Sequence, residues 1–456
     1  MADSLADSLA DSLADSLADP LIYARAVHFG ATMLVAGAVL FAVFIAAPAW
    51  RGAAGNSAVA IKVRARLAVI AWIGLALAAI AGAVWLVLTA AAMSGRPAAQ
   101  VFGDGVLWTV LSQTTFGRAW LTRFAIACAL AATLPALLAP RDRKSPWLEI
   151  TAAILAAAFA GALAWSGHAA GGLGDEAIIH PAADVLHLIA AAAWVGALLP
   201  LIVLFAAAGA DDASLTMART ATTRFSVLGI ASVGTLLVTG IVNTYYLAGS
   251  VPALLHTDYG RLLLIKIALF LAMVAIATVN RFRLTPQLLQ QNNIAASRDA
   301  LRQLRRNAAI EALAGAIVIA IVAALGTMPP AIHAAHQHPT YGAVPADAAF
   351  VHIHLVEGMA DVTVMPGRTG RARAIIRLWD EDFEALEARQ VSLTLTGPGA
   401  TGKPTTLPAV QRRDGAWQVD GIALSAPGNW TVSVDVALDA NKRLTLIAPI
   451  VIEPGP

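Results

Sequence analysis

Residues 183–207 read ADVLHLIAAAAWVGALLPLIVLFAA, an apolar run interrupted near its start by two ionisable side chains, Asp184 and His187. An apolar helix of about 20 residues matches the hydrocarbon core of a bilayer. An ionisable side chain at that depth costs roughly 2.5–3.5 kcal/mol on insertion scales, so it is expected to face the bundle interior and find a partner. The stretch therefore predicts a transmembrane helix with Asp184, His187 and Trp194 along one stripe.

Composition extends this prediction to most of the chain. Hydrophobic residues make up 58% of the sequence and charged residues 13%, with a mean hydropathy of +0.69. These values exclude an average soluble domain and indicate a polytopic membrane protein in a lipid bilayer. The net charge of +2 gives no indication of a nucleic-acid partner. Eight predicted spans lie near 21–47, 66–92, 119–139, 147–168, 183–207, 224–249, 260–280 and 307–328.

Basic residues predict the orientation of these spans. They are concentrated in the connections after spans one, three, five and seven, which the positive-inside rule assigns to the cytoplasm. Both termini are then expected on the periplasmic side. The ten histidines would all lie outside the cytoplasm or in the outer half of the bilayer: His28, His168, His180, His187, His256, His333, His336, His338, His352 and His354.

Three further segments flank or follow the predicted bundle at 21–330. Residues 1–20 repeat Ala-Asp-Ser-Leu and predict a disordered acidic tail. Residues 331–349 form a His-rich linker. Residues 350–456 alternate apolar and polar positions between turn signals, which predicts an extracytoplasmic, all-β, sandwich-like domain. Its expected strands are Phe350–Val356, Gly370–Trp379, Val391–Thr396, Ala416–Leu424, Trp430–Val436 and Leu444–Ile452.

Histidine and methionine supply the candidate metal ligands. Cys128 is the single cysteine, so a thiolate-based site is excluded. Imidazole suits Cu(II) and thioether suits Cu(I), and a patch of both without thiolate is typical of an extracytoplasmic copper site. Alternation places His352 and His354 on one face of a strand. The outer candidates are His333, His336, His338, His352, His354, Met359 and Met365; those in or near the bundle are His28, Asp184, His187, His168 and His180.

Four stretches resemble the CopD family of bacterial copper-resistance and copper-uptake membrane proteins. They are Arg25-Ala-Val-His28, the run from Asp184 through Trp194-Val-Gly196, Arg224-Phe-Ser226 running to Thr239-Gly240, and Tyr259 to Lys266 continuing to Asn280-Arg281. Ala197 stands where the family often has a second glycine. The resemblance implies copper translocation or copper tolerance at the inner membrane. It also implies a periplasmic copper-donor protein as a possible partner.

Our first hypothesis is a copper-handling membrane protein, not an enzyme, in which the outer domain passes copper to His28, Asp184 and His187. The sequence has no recognisable nucleotide-binding motif, so transport would be passive or coupled to an ion gradient. A b-type electron carrier is an alternative, with histidines as axial ligands of haem b and Arg25, Arg123 or Lys266 near the propionates. A non-catalytic assembly or scaffold protein is a third hypothesis.

Overall fold

The computed structural model covers the whole chain, and it describes most of the bundle and of the β domain. The described residues are 19–50, 58–94, 97–103, 105–138, 146–166, 176–208, 212–248, 251–290, 292–328, 345, 347–355, 358–380, 385–398, 404–439 and 442–455. Residues 1–18 of the predicted tail and almost all of the predicted linker lie outside this set.

The chain forms two compact units. The first comprises the described parts of Met1–Gly82, Arg123–Gly167 and His180–Ala331. The second comprises the described parts of Ala83–Thr122, His168–Ile179 and Ile332–Pro456. The first unit is helical, and the second contains all the described β-strands.

Seven helices in the described residues are long and apolar enough to cross a membrane. Three of them contain a π-helical segment, at Ala42–Ala46, Ala192–Gly196 and Asn280–Leu284. The seven are α1 (Pro20–Ala49), α2 (Ala58–Ser94), α5 (Pro146–Trp165), α6 (Ile178–Ala207), α7 (Asp212–Ala248), α9 (Asp258–Leu289) and α10 (Ile294–Leu325). The remaining helices are α3 (Val106–Gln113), α4 (Thr115–Leu138) and α8 (Val251–His256).

The third predicted span, 119–139, corresponds to α4, which is helical but is not among these seven. Several other helices begin earlier than the apolar runs predicted. For example, α2 begins at Ala58 and α10 at Ile294. Once a helix has nucleated, each further residue adds a backbone hydrogen bond, so polar turns continue the helix beyond the apolar run.

Helices α1 and α6 make a close backbone contact through two glycines. A Cβ atom placed on Gly37 would lie 2.1 Å from the carbonyl carbon of Gly196. A Cβ atom on Gly196 would lie 2.0 Å from the carbonyl oxygen of Met33. Small residues let helix backbones approach in a membrane, where packing replaces the hydrophobic effect as the driving force. This contact fixes the π-helical segment Ala192–Gly196 against the first helix.

The β domain consists of two antiparallel sheets that share one hydrophobic core. One sheet has the order β1-β2-β3-β7-β6 and the other β5-β4-β8-β9. Inward positions alternate with outward ones, as in β8, where Trp430, Val432, Val434 and Val436 are buried. The strands are β1 (Ala349–Leu355), β2 (Gly358–Met365), β3 (Gly370–Trp379), β4 (Gln390–Thr396), β5 (Thr405–Pro408), β6 (Val410–Gln411), β7 (Trp417–Leu424), β8 (Gly428–Ala437) and β9 (Arg443–Ile452).

The predicted fold class, a helical membrane bundle followed by an all-β domain, is confirmed. The six predicted strands correspond to β1, β3, β4, β7, β8 and β9. Three strands were not among those predicted: β2, β5 and β6. Strand β2 changes the expected setting of two candidate ligands, because Met359 and Met365 lie on a central strand.

Replacing Gly196 with alanine tests the α1–α6 contact. The added methyl group overpacks this contact, which typically costs about 1–3 kcal/mol. We expect the Gly196→Ala protein to unfold at a lower temperature in detergent, measured by tryptophan fluorescence.

Gly234→Ala is the matched control, because a Cβ atom there would meet nothing within 4 Å. Alanine is the better helix former by about 1 kcal/mol, so this variant should unfold at or above the wild-type temperature. Equal unfolding temperatures for wild type and Gly196→Ala would contradict the close contact.

Candidate functional site

The first polar network in the bundle joins His28 to Arg123. His28 donates from Nδ1 to the carbonyl oxygen of Ala78 at 2.8 Å, and its Nε2 lies 2.8 Å from a terminal guanidinium nitrogen of Arg123. Arg123 also donates to the carbonyl of Phe159 at 3.1 Å and to the hydroxyl of Thr32 at 3.3 Å. Since Nδ1 donates, Nε2 accepts, and the imidazole is neutral. Both ring nitrogens of His28 are therefore engaged within the protein.

The second network contains Asp184 and His187. Asn243 donates to the Asp184 carboxylate at 3.2 Å. The Nδ1 atom of His187 lies 2.9 Å from the hydroxyl oxygen of Thr239, whose own proton goes to the carbonyl of Thr235. His187 is thus the donor in its bond with Thr239. Its Nε2 keeps the lone pair with which a neutral imidazole binds a metal.

Lys266 supplies the positive charge in the second network. It interacts electrostatically with both Asp184 and His187. Asp184 was expected to find a partner within the bundle, and Lys266 lies close enough to interact with it electrostatically. Arg25 lies beside Gly326 and over the ring of Phe29, with 5.4 Å from its guanidinium carbon to the ring centroid.

A cavity of about 480 Å³ opens beside the second network. His187, Lys266 and Tyr245 are on its wall, and the rest of the wall is largely aliphatic and aromatic. Nearby, His180 is buried and stacks on Tyr246 with ring centroids 5.0 Å apart. We call this space the His187 cavity. An imidazole with a lone-pair nitrogen lies at the wall of an apolar cavity. Exposed side chains such as Ile241 and Val251 also line it, so the cavity opens at the surface of the bundle.

The expected ligand set of His28, Asp184 and His187 is not assembled in the structure. Within the described residues, no three His, Cys, Asp or Glu side chains are grouped so that they could hold a metal ion. His28 belongs to the network around Arg123, and the other two belong to the network around Lys266. The physical reason is that each of these buried polar side chains interacts with a complementary group within its own network.

On the β domain, His352 is oriented by a carboxylate. Its Nδ1 lies 2.6 Å from Asp361, on the neighbouring strand, and the indole N–H of Trp379 donates to the other oxygen of Asp361 at 3.3 Å. Asp361 thus orients the imidazole of His352 in the way that a carboxylate orients a metal-binding histidine. The His352 side chain is 40% exposed, so it can be reached from solvent.

The other outer candidates divide into two groups. In the strand register, His354 pairs with Met359, and Met359 is buried on the strand face that also carries Asp361. Met365 is half-buried at the far end of the same strand. His168, His333, His336 and His338 lie outside the described residues. Ligation by any of these candidates stays a prediction.

Sequence reasoning did not identify several residues that complete these networks. Arg123 was considered only as a possible neighbour of haem propionates and Thr239 only as part of a family-like stretch, and Asp361 was not considered. A buried carboxylate, Glu311, was also missed, although a lone acid in an apolar run is a recognisable signal. The other partners had no such signal, because threonine and asparagine in a helix are usually structural.

Comparisons with known proteins are consistent with the resemblance in the sequence. A family profile described as copper resistance protein D matches residues 219–325, and a copper resistance protein D-like N-terminal domain profile matches residues 14–178. Copper resistance protein D of Pseudomonas syringae pv. tomato is 30% identical over 311 residues, covering 66% of this chain and 94% of that protein.

Two further relatives match a smaller and a larger part of this chain, respectively, than the Pseudomonas protein does. Inner membrane protein YebZ of Escherichia coli (strain K12) is 34% identical over 255 residues, or 54% of this chain and 82% of that protein. Copper transport protein CutJ of Bacillus subtilis (strain 168) is 27% identical over 419 residues, or 90% of this chain and 70% of that protein.

Replacing Arg123 with methionine tests the first network. The change leaves the Nε2 atom of His28 and the carbonyl of Phe159 without this donor, and each unsatisfied buried group costs about 1–3 kcal/mol. We expect a lower unfolding temperature in detergent. Arg118→Met on the same helix is the control, because Arg118 is exposed and contacts only Thr115, at 3.4 Å, among the hydrogen bonds described. Equal stability of the two variants would argue against the network.

Proposed function

This chain belongs to the copper resistance protein D family, and we propose that it takes copper ions from the periplasmic side and moves them across the bacterial inner membrane. Family membership and seven helices in the described residues that are long and apolar enough to cross a membrane support a multi-pass, copper-related membrane protein. The uptake direction, the periplasmic position of both termini and a periplasmic donor protein belong to the proposal.

His187 and its cavity are the main observation in favour of transport. Ionisable residues inside a membrane bundle mark ion pathways when they face a cavity. The lone-pair nitrogen of His187 stands at the wall of the His187 cavity, and imidazole is a good ligand for copper. Thr239 holds the ring in the tautomer that ligation needs. We assign copper binding within the bundle to His187.

Lys266 disfavours positive charge at His187, and the Asp184 carboxylate offsets part of that repulsion. Lys266 is positive, but it interacts with the negative Asp184 carboxylate. The pair is close to neutral as a unit, so the field at His187 is weaker than Lys266 alone would produce. Arg123, the other buried cation near a histidine, belongs to the network around His28. The buried cations Arg123 and Lys266 are therefore compatible with a copper path past His187.

We further propose that the β domain captures copper through His352, with Met359 and His354 as neighbours on the two paired strands. A carboxylate that accepts from the second ring nitrogen fixes the orientation of a metal-binding histidine and raises its basicity. Asp361 occupies that position relative to His352. Thioether and imidazole together suit both Cu(I) and Cu(II).

The haem alternative has less support from the geometry. An axial pair needs the lone-pair nitrogens of two histidines directed at one iron. In His28 that nitrogen accepts from Arg123 at 2.8 Å, which leaves it engaged in a buried hydrogen bond. The scaffold alternative makes no use of an imidazole at a cavity wall.

Copper uptake into proteoliposomes tests the role of His187. We expect His187→Ala to lower the initial rate of copper uptake at least tenfold in full-length, reconstituted protein, because the bundle has lost its imidazole ligand. His256→Ala is the matched control, since His256 is exposed on α8, and it should transport at the wild-type rate. Wild-type uptake by a correctly inserted His187→Ala protein would disprove the assignment.

Asp361→Asn tests the capture site on the β domain. Loss of a carboxylate that orients a metal-binding histidine typically lowers metal affinity 10–100-fold. We expect a weakening of that size in copper titrations of the full-length protein followed by copper-dependent absorbance.

The matched control is Asp435→Asn, which removes a carboxylate from the other sheet, where Asp435 accepts from Thr445. Equal copper affinity of the Asp361→Asn and Asp435→Asn proteins would remove His352 from the capture site.

A further inference from the structure

Trp194 lies between two cavities of the bundle. The His187 cavity is on one side of the indole, and a second cavity, also of about 480 Å³, is on the other. Ser226, Asn280, Arg281 and Glu311 line the second cavity, which we call the Glu311 cavity. Among the lining residues described for the two cavities, Trp194 is common to both.

Apolar side chains fill the space around Trp194 and keep the two cavities apart. Trp194 is buried with Leu236 and Met273 in one hydrophobic cluster. Phe270 packs edge-on against the indole, with ring centroids 6.1 Å apart and an interplanar angle of 84°. A hydrated ion cannot cross such a cluster unless the cluster rearranges. Movement of Trp194 is the simplest rearrangement that would join the cavities, because its ring contacts both.

Glu311 is the acidic group at this position. It is 1% exposed, and its carboxylate accepts from the amide of Asn280 at 2.8 Å. Trp194 lines the same cavity as Glu311, and its indole N–H is close enough to the carboxylate to interact with it as a donor. Asn307 donates to the amide oxygen of Asn280 at 2.7 Å, so the polar chain continues towards a half-buried residue. Both donors described at the Glu311 carboxylate are neutral.

Few charged groups surround Glu311. Arg281 lines the same cavity and donates to the hydroxyl of Ser226 at 2.6 Å. Three segments packed on α10 have no titratable residue: Ala192–Gly196, Ala197–Ala207 and Thr285–Leu289. The titratable residues on the other packed segments are Tyr23, Arg25 and His28 on α1, and Asp258, Tyr259, Arg261, Lys266, Arg281 and Arg283 on α9. Arg25 lies beside Gly326, about four helical turns from Glu311.

We propose that Glu311 is a proton-binding site whose carboxylate holds Trp194 between the two cavities and releases it on protonation. The inference rests on the proposed function, since it supplies the coupling step of copper transport. In the step, the carboxylate takes one proton and becomes a neutral carboxylic acid, with no other bond made or broken. Transport would then be coupled to a proton gradient.

The strength of hydrogen bonds explains why protonation would release the indole. A hydrogen bond to an ionised acceptor is roughly twice as strong as one between neutral groups. The carboxylate therefore holds the Trp194 N–H more firmly than the carboxylic acid does. Protonation also removes a buried charge that only neutral amide and indole donors stabilise. The protonated state costs less to rearrange, and Trp194 can leave the space between the cavities.

Copper uptake into proteoliposomes with and without an imposed pH gradient tests the coupling. For wild type we expect uptake to be several times faster with the gradient. In Glu311→Gln the ratio of the two rates should fall to about one, because the amide does not bind the proton. In Trp194→Phe, which keeps a ring but has no N–H group, uptake without the gradient should rise several-fold.

Matched controls are Glu149→Gln and Trp85→Phe, which alter a carboxylate and a buried indole elsewhere in the chain. Both should keep the wild-type ratio. A Glu311→Gln protein that transports copper with the wild-type response to the gradient would overturn the proposal. Wild-type uptake that ignores the gradient would overturn it too, while leaving copper transport intact.

A copper-free measurement separates this inference from the proposed function. Infrared difference spectra between acidic and alkaline buffers should contain, beside the bands of the other carboxyl groups, one carbonyl band of a protonated carboxylic acid that is present in wild type and Glu149→Gln and missing from Glu311→Gln. Trp194→Phe should change the pH at which that band appears, and Trp85→Phe should not. If neither the wild type nor any variant transports copper, the proposed function fails. A spectrum unaffected by Glu311→Gln refutes the proton site in either case.

Discussion

Most of this bundle is organised by the cost of placing an ionisable group in an apolar interior. Such side chains interact with complementary groups on other helices, because an unpaired charge in an apolar interior has a high free-energy cost. Arg123 hydrogen-bonds across from α4 to His28 on α1, Glu311 accepts from Asn280 between α10 and α9, and Lys266 on α9 interacts electrostatically with Asp184 on α6. These polar interactions connect helices that otherwise pack largely through apolar side chains.

Close backbone packing decides where the central part of α6 lies. Gly196 lies directly against Gly37 and Met33 of α1, with no room for a side chain at either glycine. Trp194 is in the same π-helical segment, two residues before Gly196. Because the segment is held against α1 on its glycine side, its large indole projects into the bundle between the two cavities. In the Trp-Val-Gly stretch, the glycine thus permits the close contact with α1, and the tryptophan lies against the two cavities.

The two histidines inside the bundle differ in what their surroundings leave available. Both ring nitrogens of His28 are hydrogen-bonded, one to a carbonyl and one to a guanidinium, so His28 connects helices. His187 spends Nδ1 on Thr239 and keeps a lone pair at a cavity wall. The same type of side chain is therefore hydrogen-bonded through both ring nitrogens in one network and keeps a nitrogen lone pair at a cavity wall in the other.

The sequence by itself determined the fold class and the type of chemistry. Long apolar runs can satisfy their backbone only as helices in a bilayer, and alternating residues after 349 can bury one face only as strands of a sandwich. It also located Asp184, His187 and His352. It did not pair them, because which buried groups meet depends on helix rotation and contact across distant segments. The tertiary structure alone separated His28 from His187, placed Asp361 beside His352, and set Trp194 against two cavities with Glu311 on the wall of one, since these contacts depend on how separate helices and strands pack.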